Sequence, residues 1–286
     1  MRNLLDSANE APVTHLLALG YVTMAFLSGG LDPSSGRLHE LGALRGLDVA
    51  GGEPWRLLTY SVLHGGIVHL VFNTMMLVWL GPMLERAYGW WRFLVIYLAG
   101  ALGGAVLFCL LGDPRALCVG GSGALFGMMG AALVRNMRAG RHLFSFLDHD
   151  GPRQLIGLIV TNLVLGMLLP GVSNTAHVGG LLGGFAVTFF LLDRGRGPVP
   201  RAFALAVAAL AFSATWYAVR PVARWDWLLG QAERATDPVA KAAWIEAAAL
   251  ALSADAGPRK AERLHRVERA LEPPRGDEAP AQGGNR

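Results

Sequence analysis

Polar side chains of types that could do chemistry lie inside long apolar runs of this sequence. They are His69, Asn73, Ser122 and His177. A serine hydroxyl becomes an effective nucleophile when a base takes its proton, and the ordinary pKa of histidine suits that task near neutral pH. Ser122 is therefore either a small residue that lets helices pack closely or a nucleophile with His177 as its base.

The composition is typical of a membrane protein with several spans. Of the 286 residues, 53% are hydrophobic and 16% are charged, which is far from the balance of an ordinary soluble domain. A helix needs about 20 mostly apolar residues to cross a bilayer. Breaks at charged, proline and glycine clusters predict an all-α polytopic fold with spans near 13–30, 64–84, 92–111, 121–139, 153–170, 176–192 and 201–219.

The loop arginines predict how these spans are oriented. With a cytoplasmic N-terminus, the inner segments hold more arginines than the short outer loops, as the positive-inside rule requires. The second, fourth and sixth spans then run inward, so His69, Ser122 and His177 lie within a few turns of the outer surface. Polar residues in a membrane are costly and usually mark function. Either histidine alone, or Asn73, could instead join helices by a hydrogen bond, but their shared depth favours one site.

Glycines allow the fourth and sixth spans to touch. Gly180 and Gly184 are four residues apart in the span that carries His177, and Gly123 follows Ser122 directly. Small residues at this spacing let helix backbones approach closely in lipid. We therefore expect the two spans to bring the serine and the histidine together.

A dyad is expected rather than a triad with a buried carboxylate. The acidic residues between positions 54 and 192 lie at predicted span ends or in loops, so none is placed to orient the histidine as an aspartate does in a triad. Phe126 follows Ser122 by one helical turn and points the same way from its helix. Its ring is therefore expected to pack on the imidazole of His177.

The donors that would stabilise an oxyanion are also present in the sequence. A helix N-terminus presents free N–H groups, and Gly120 and Gly121 allow the chain to come close at the start of the fourth span. His69 and Asn73 are four residues apart and lie on one face of the second span. Both side chains can donate hydrogen bonds into the same site.

Taken together, these features resemble the rhomboid family of intramembrane serine proteases. The resemblance rests on Trp55-Arg56, His69-x-x-x-Asn73, Gly120-Gly121-Ser122-Gly123 and Ala176-His177 with Gly180 and Gly184. It covers residues 13–192 and implies a six-helix core in which Ser122 attacks the substrate carbonyl and His177 is the general base. It also implies an oxyanion site formed by His69, Asn73 and the backbone N–H of Ser122.

The resemblance further implies that substrate arrives sideways from lipid, between the second and fifth helices. The fifth span, 153–170, and the loop 172–175 are predicted to form a movable gate. Trp55, Arg56 and Glu85 match family positions and are interpreted as structural. This chain has Phe126 where the family often has tyrosine, so a stacking face is kept and a hydroxyl is lost.

The segments outside the core are predicted from their composition. Residues 1–12 form a short cytoplasmic N-terminus, and 201–219 form a seventh span, which some rhomboids have. Residues 225–271 are expected to form a helical tail. A solvated appendage is favoured over a docking or regulatory unit. Trp225 and Trp227 are predicted to be anchors at the membrane interface. The last residues, 272–286, are expected to be disordered.

The sequence therefore predicts an intramembrane serine endopeptidase that acts on transmembrane proteins in the bilayer of a bacterial inner membrane. The alternative is a pseudoprotease that binds such clients without cutting them, although a binder needs neither Ser122 nor His177. A transporter would show inverted repeats, which are not evident. The chemistry needs no cofactor or metal, no pattern predicts nucleic-acid binding, and the oligomeric state is left open.

Overall fold

A computed structural model describes residues 10–139, 150–192, 221–253 and 260–271, apart from residues 31, 51, 114 and 170. In these ranges the chain is helical, and its β pairing is a single bridge between Leu44 and Cys118. The all-α class is therefore confirmed. The predicted seventh span, 201–219, and the predicted disordered end, 272–286, lie outside the described residues.

The helices are labelled in chain order. They are α1 (Pro12–Leu27), α2 (Ser35–Glu40), α3 (Gly46–Ala50), α4 (Arg56–Thr59), α5 (Ile67–Tyr88), α6 (Trp90–Leu111), α7 (Ser122–Ala139), α8 (Asp150–Leu168), α9 (Asn174–Val187), α10 (Pro221–Arg234), α11 (Pro238–Ser253) and α12 (Lys260–Leu271). A π-helical turn, Thr188–Leu192, extends α9. Within the described ranges, α5 and α6 are long and apolar enough to cross a membrane, and α1 and most of α8 are shorter apolar helices.

The second predicted span is shifted along the chain. The sequence predicts it at 64–84, but α5 begins at Ile67 and ends at Tyr88. Gly66 and Gly89 flank the helix with φ of 140° and 84°, values that favour glycine and stop the helix on both sides. His64 consequently lies in the loop before α5, where its side chain is buried.

Glycines bring the backbones of α6, α7 and α9 into direct contact. A Cβ atom added to Gly180 would collide with the carbonyl of Gly123, and one added to Gly184 would collide with the backbone of Gly127. On the other side of α9, a Cβ on Gly183 would meet the backbone of α6. The predicted close approach of the spans that carry Ser122 and His177 is therefore present.

The segment between α1 and α5 folds into a compact layer at the end of the bundle where α7 begins, called here the Ser122 end. Arg56 is buried and donates hydrogen bonds to the carbonyls of His39 and Ala43, each at 2.8 Å. Burial opposes ionisation of Asp48, but hydrogen bonds from Arg45 and His39 outweigh it and hold the pKa of this carboxyl below its usual value. The layer is thus held by charged groups as well as apolar contacts.

The opposite end of the bundle is held by Glu85. Its carboxylate accepts hydrogen bonds from the N–H groups of Val13 and Thr14 and from the Thr14 hydroxyl, at 2.8–2.9 Å. A carboxylate suits the start of α1, where backbone N–H groups have no partner within the helix. These contacts agree with a structural interpretation of Glu85.

The C-terminal helices are not a solvated appendage. Helices α10, α11 and α12 share a core of buried side chains, and Trp225, expected at the membrane interface, is only 4% exposed within that core. Trp227 is half-buried and packs edge to face on Trp244. The apolar residues of α10 recur with helical spacing, which indicates packing on a partner helix and explains why Trp225 is buried there rather than at a membrane interface.

Candidate active site

Ser122 and His177 meet at the Ser122 end of the bundle. Ser122 is the first residue of α7, and His177 lies in the first turn of α9. The hydroxyl of Ser173 caps α9 by accepting the N–H of Ala176, which fixes where that turn begins. The Oγ atom of Ser122 and the Nε2 atom of His177 are 3.0 Å apart, a hydrogen-bond distance.

The imidazole of His177 is held by an aromatic ring. Phe126 stacks on it with 4.3 Å between ring centroids and 9° between ring planes, which is the contact expected from its position one turn after Ser122. Among the described residues, Nδ1 of His177 has no hydrogen-bond partner. A carboxylate that orients the histidine is therefore absent from this part of the chain, and packing takes over that task.

His69 and Asn73 lie beside the loop that leads to Ser122. Gly120 has a φ of 117°, and a Cβ atom there would collide with the ring of His69 and come within 3.6 Å of the Asn73 amide nitrogen. The Asn73 amide donates one hydrogen bond to the His69 carbonyl at 3.1 Å, which leaves its second N–H for another acceptor. Gly120 and Gly121 thus run directly past both side chains.

Tyrosine residues that the sequence did not single out support the same loop. The carbonyl of Tyr60 accepts a hydrogen bond from the N–H of Gly120 at 3.0 Å. The Tyr60 hydroxyl donates to the carbonyl of Ala101 at 2.8 Å. The hydroxyl of Tyr21 lies where a Cβ on Gly121 would be, and it is 2.9 Å from the hydroxyl of Tyr97. A tyrosine in an apolar run needs a partner for its hydroxyl, which was the available signal.

His64 completes this supporting group. It is 1% exposed, and its ring lies 4.6 Å from that of Tyr21 and 5.2 Å from that of His69. Tyr21 also lies against Gly121, so these rings link α1 both to the loop before Ser122 and to His69. The sequence placed His64 at a span edge and gave it no role.

The site therefore contains a paired serine and histidine, a glycine loop, and two polar side chains on α5. Comparison with known proteins identifies the family to which the chain belongs. The Rhomboid domain family matches residues 51–194, about half of the chain. This chain belongs to the rhomboid family of integral membrane proteins.

The relatives found by sequence comparison carry rhomboid names. The RHOMBOID-like protein 6, mitochondrial, of Arabidopsis thaliana is 42% identical over 170 residues, 57% of this chain and 52% of that protein. Rhomboid protease GluP of Bacillus subtilis is 40% identical over 176 residues, 60% of this chain and 33% of GluP. Putative rhomboid protease YdcA of the same species is 33% identical over 152 residues, 52% of this chain and 72% of YdcA. The chain spans about half the length of the first plant relatives that it matches.

Proposed function

We propose that this protein is an intramembrane serine endopeptidase that cuts transmembrane substrates by a Ser122–His177 dyad. The observation that carries the proposal is the 3.0 Å distance between Ser122 Oγ and His177 Nε2. Protease-named relatives in the same family support the general class of hydrolase. A serine at a helix N-terminus beside a histidine is suited to nucleophilic catalysis.

The reaction begins when Ser122 donates its proton to Nε2 of His177 while its Oγ attacks the substrate carbonyl carbon. The protonated imidazole then donates to the nitrogen of the leaving amine, which leaves an acyl group on the serine. Water, deprotonated by the same histidine, hydrolyses this acyl-enzyme and restores both residues. The stack on Phe126 keeps Nε2 directed at Oγ through these proton transfers.

The oxyanion formed in each step is stabilised from the α5 side and from the start of α7. The N–H groups at the N-terminus of α7 have no partner within the helix, and the free amide hydrogen of Asn73 and the ring of His69 lie alongside. Gly120 and Gly121 let these donors converge because any side chain there would displace His69 or Tyr21. Gly123, Gly180 and Gly184 act one layer further in by fixing the distance between α7 and α9.

The substrate reaches this site as an unwound segment. A helical peptide keeps its carbonyls in i to i+4 hydrogen bonds, so substrates with glycine, proline or small residues near the outer end of a span are expected. Helix α8 and the loop to α9 are the proposed gate. Their large apolar side chains are widely exposed, among them Met167 at 79% and Leu168 at 72%.

The proposed setting is a bacterial inner membrane with a cytoplasmic N-terminus. The loop arginines support this orientation through the positive-inside rule. The Ser122 end then faces the outer aqueous side, from which hydrolytic water reaches the dyad. Water access is a requirement of the chemistry, and polar backbone at membrane depth is tolerated where it lines a wet cavity.

The decisive experiment compares the purified wild-type protein with Ser122→Ala and His177→Ala on a generic membrane substrate. We expect cleavage by the wild type, loss of cleavage in both variants, and covalent labelling of the wild type at Ser122 by a fluorophosphonate. Ser35→Ala, which changes an exposed serine of α2, is the matched control and should cleave normally. Equal products from all four proteins would refute the dyad, and substrate binding without cleavage by the wild type would favour the pseudoprotease.

A further inference from the structure

The C-terminal unit, defined as α10, α11 and α12, has a core that also contains, among the described residues, one residue from elsewhere in the chain. That residue is Leu47 of α3, which is 3% exposed and packs with the buried side chains of the unit. The other members of this core are Trp225, Leu228, Leu229, Ala232, Ile245, Ala247, Ala248, Ala251, Leu252 and Val267. The unit therefore contacts the layer between α1 and α5 through the buried Leu47 side chain of that layer.

A second contact joins the C-terminal unit to the loop between α6 and α7. Arg115 of that loop donates to Oε2 of Glu246 in α11, through Nη2 at 2.6 Å and Nε at 3.0 Å. Both side chains are about half exposed, so solvent screens this pair and its contribution is small. The ion pair matters for where it lies, because it joins the unit to the loop that leads into Ser122.

The two segments that contact the C-terminal unit, the layer between α1 and α5 and the loop between α6 and α7, are themselves joined beside the active site. Leu44 and Cys118 exchange both backbone hydrogen bonds, at 2.9 and 2.8 Å. Leu44 lies three residues before Leu47, and Cys118 lies three residues after Arg115 and four before Ser122. A short, backbone-paired path therefore runs from the C-terminal unit to the nucleophile.

The residue after Leu47 connects the same path to the buried arginine. Asp48 accepts hydrogen bonds from Arg45 and His39 and lies 3.6 Å from Arg56. A shift of α3 would therefore disturb the ionic network of the outer layer as well as the Leu44–Cys118 bridge. Packing around Leu47, the residue before Asp48, therefore restrains α3 next to this network.

We propose that the C-terminal unit positions the nucleophile loop, with Leu47 and Glu246 as positioning residues that hold the two loops joined by Leu44 and Cys118. This rests on the proposed function, because its consequence is the rate at which Ser122 reacts. Leu47 contributes more than Glu246 to holding the loops, because truncating a buried leucine removes packing that the exposed ion pair cannot replace. The C-terminal unit thus affects catalysis by positioning, and none of its residues contacts substrate.

The test uses the full chain and variants that loosen the contact. Hydrogen–deuterium exchange of the peptides that contain Leu44 and Cys118 is measured beside kcat, KM and the fluorophosphonate labelling rate. For Leu47→Ala we expect amide exchange to rise and kcat to fall, each by about tenfold, with KM unchanged. Leu47→Met, which keeps the volume, should restore both.

The ion pair is tested by charge reversal. Glu246→Arg should lower kcat by roughly twofold to threefold, and adding Arg115→Glu to it should recover that loss. Glu233→Arg is the matched control: it makes the same charge change at an exposed position of α10 and should behave as the wild type.

Several outcomes would overturn the proposal. Unchanged exchange in Leu47→Ala would show that the unit does not restrain the loops, and raised exchange with unchanged kcat would show that the restraint does not matter for catalysis. A fall in activity that follows only the folded fraction, measured by thermal unfolding, would show a merely structural role. A wild-type protein that neither cleaves nor labels would refute the proposed function itself, and exchange, which needs no substrate, separates that failure from loss of the contact.

Discussion

The two sides of helix α7, which begins at Ser122, are packed in opposite ways. On the side of α6 and α9, glycines place backbone against backbone, so that a Cβ atom on Gly184 would overlap Gly127. On the side of α8, a Cβ on Gly157 would meet nothing within 4 Å, and Val160 and Met167 are more than half exposed. Among the side chains of α8 that the structure describes, the buried ones form a narrow stripe that includes Leu155 and Ile159.

The difference fits the separate tasks that are proposed for the two sides. The proposed mechanism requires a constant Ser122–His177 distance, and contact between backbones leaves no side-chain freedom by which α7 and α9 could shift. A helix that admits a substrate must part from its neighbours at low cost, and α8 has few buried contacts to lose. Asn162 of α8 donates to the carbonyl of Leu158 in its own helix, so this polar group needs no neighbour when α8 moves.

Adding one methyl group on each side should give the largest contrast. Gly184→Ala forces α9 away from α7, and we expect a loss of about 3 kcal/mol in stability and of about a hundredfold in activity. Gly157→Ala makes the same change on α8 and should stabilise the protein by about 0.5 kcal/mol with full activity, because alanine is the better helix former. Thermal unfolding in detergent and substrate cleavage measure both, and equal effects would remove the contrast.

Shortening a methionine on each side should give an intermediate effect. Met128 of α7 is fully buried, and Met128→Ala should cost about 2 to 4 kcal/mol by leaving a cavity. Met167→Ala on the exposed face of α8 should change stability by less than about 0.5 kcal/mol. The comparison is made by unfolding in the same detergent. A cost at Met167 near that at Met128 would mean that α8 is held as firmly as α9.

The smallest effect is expected where α8 is fastened to α9. The Asn174 amide donates to the carbonyl of Leu163 at 2.9 Å, across the proposed gate. Asn174→Ala should cost about 1 kcal/mol in stability and raise cleavage of a membrane substrate by up to about fivefold, because the gate opens more easily. Labelling of Ser122 by a small fluorophosphonate should not change.

Asn162→Ala is the control for this variant, since it removes a similar hydrogen bond that stays within α8. Its cleavage rate should equal that of the wild type. Slower cleavage by Asn174→Ala, or equal acceleration by both variants, would contradict the assignment of α8 as the gate.

Much of the site was predictable because chemistry restricts which residues can do it. A serine, a histidine, glycines at a spacing of four and a phenylalanine one turn on were sufficient to predict the contact of α7 with α9. The tyrosines behind the loop were not predictable in the same way. Tyr21 and Tyr60 come from different segments, and only folding brings both hydroxyls against the glycines that precede and follow Ser122.

The C-terminal unit shows the limit more sharply. Its helices could be anticipated from Asp237, whose carboxylate caps α11 by accepting the N–H of Ala240 at 2.7 Å. Its place could not, because the partner of its core is Leu47, far away in the chain. An amphipathic helix shows that it has a face to bury but does not say against what.

The sequence by itself determined that this is an all-α membrane protein with a serine and a histidine at matching depth. The length of the apolar segments, the residue types and the glycine spacing are local properties, which are already present in the chain before it folds. Tertiary structure alone decided the 3.0 Å contact, the aromatic support of the histidine and the docking of the C-terminal unit on α3. These depend on pairs of residues far apart in sequence, whose distances are set only when the helices pack.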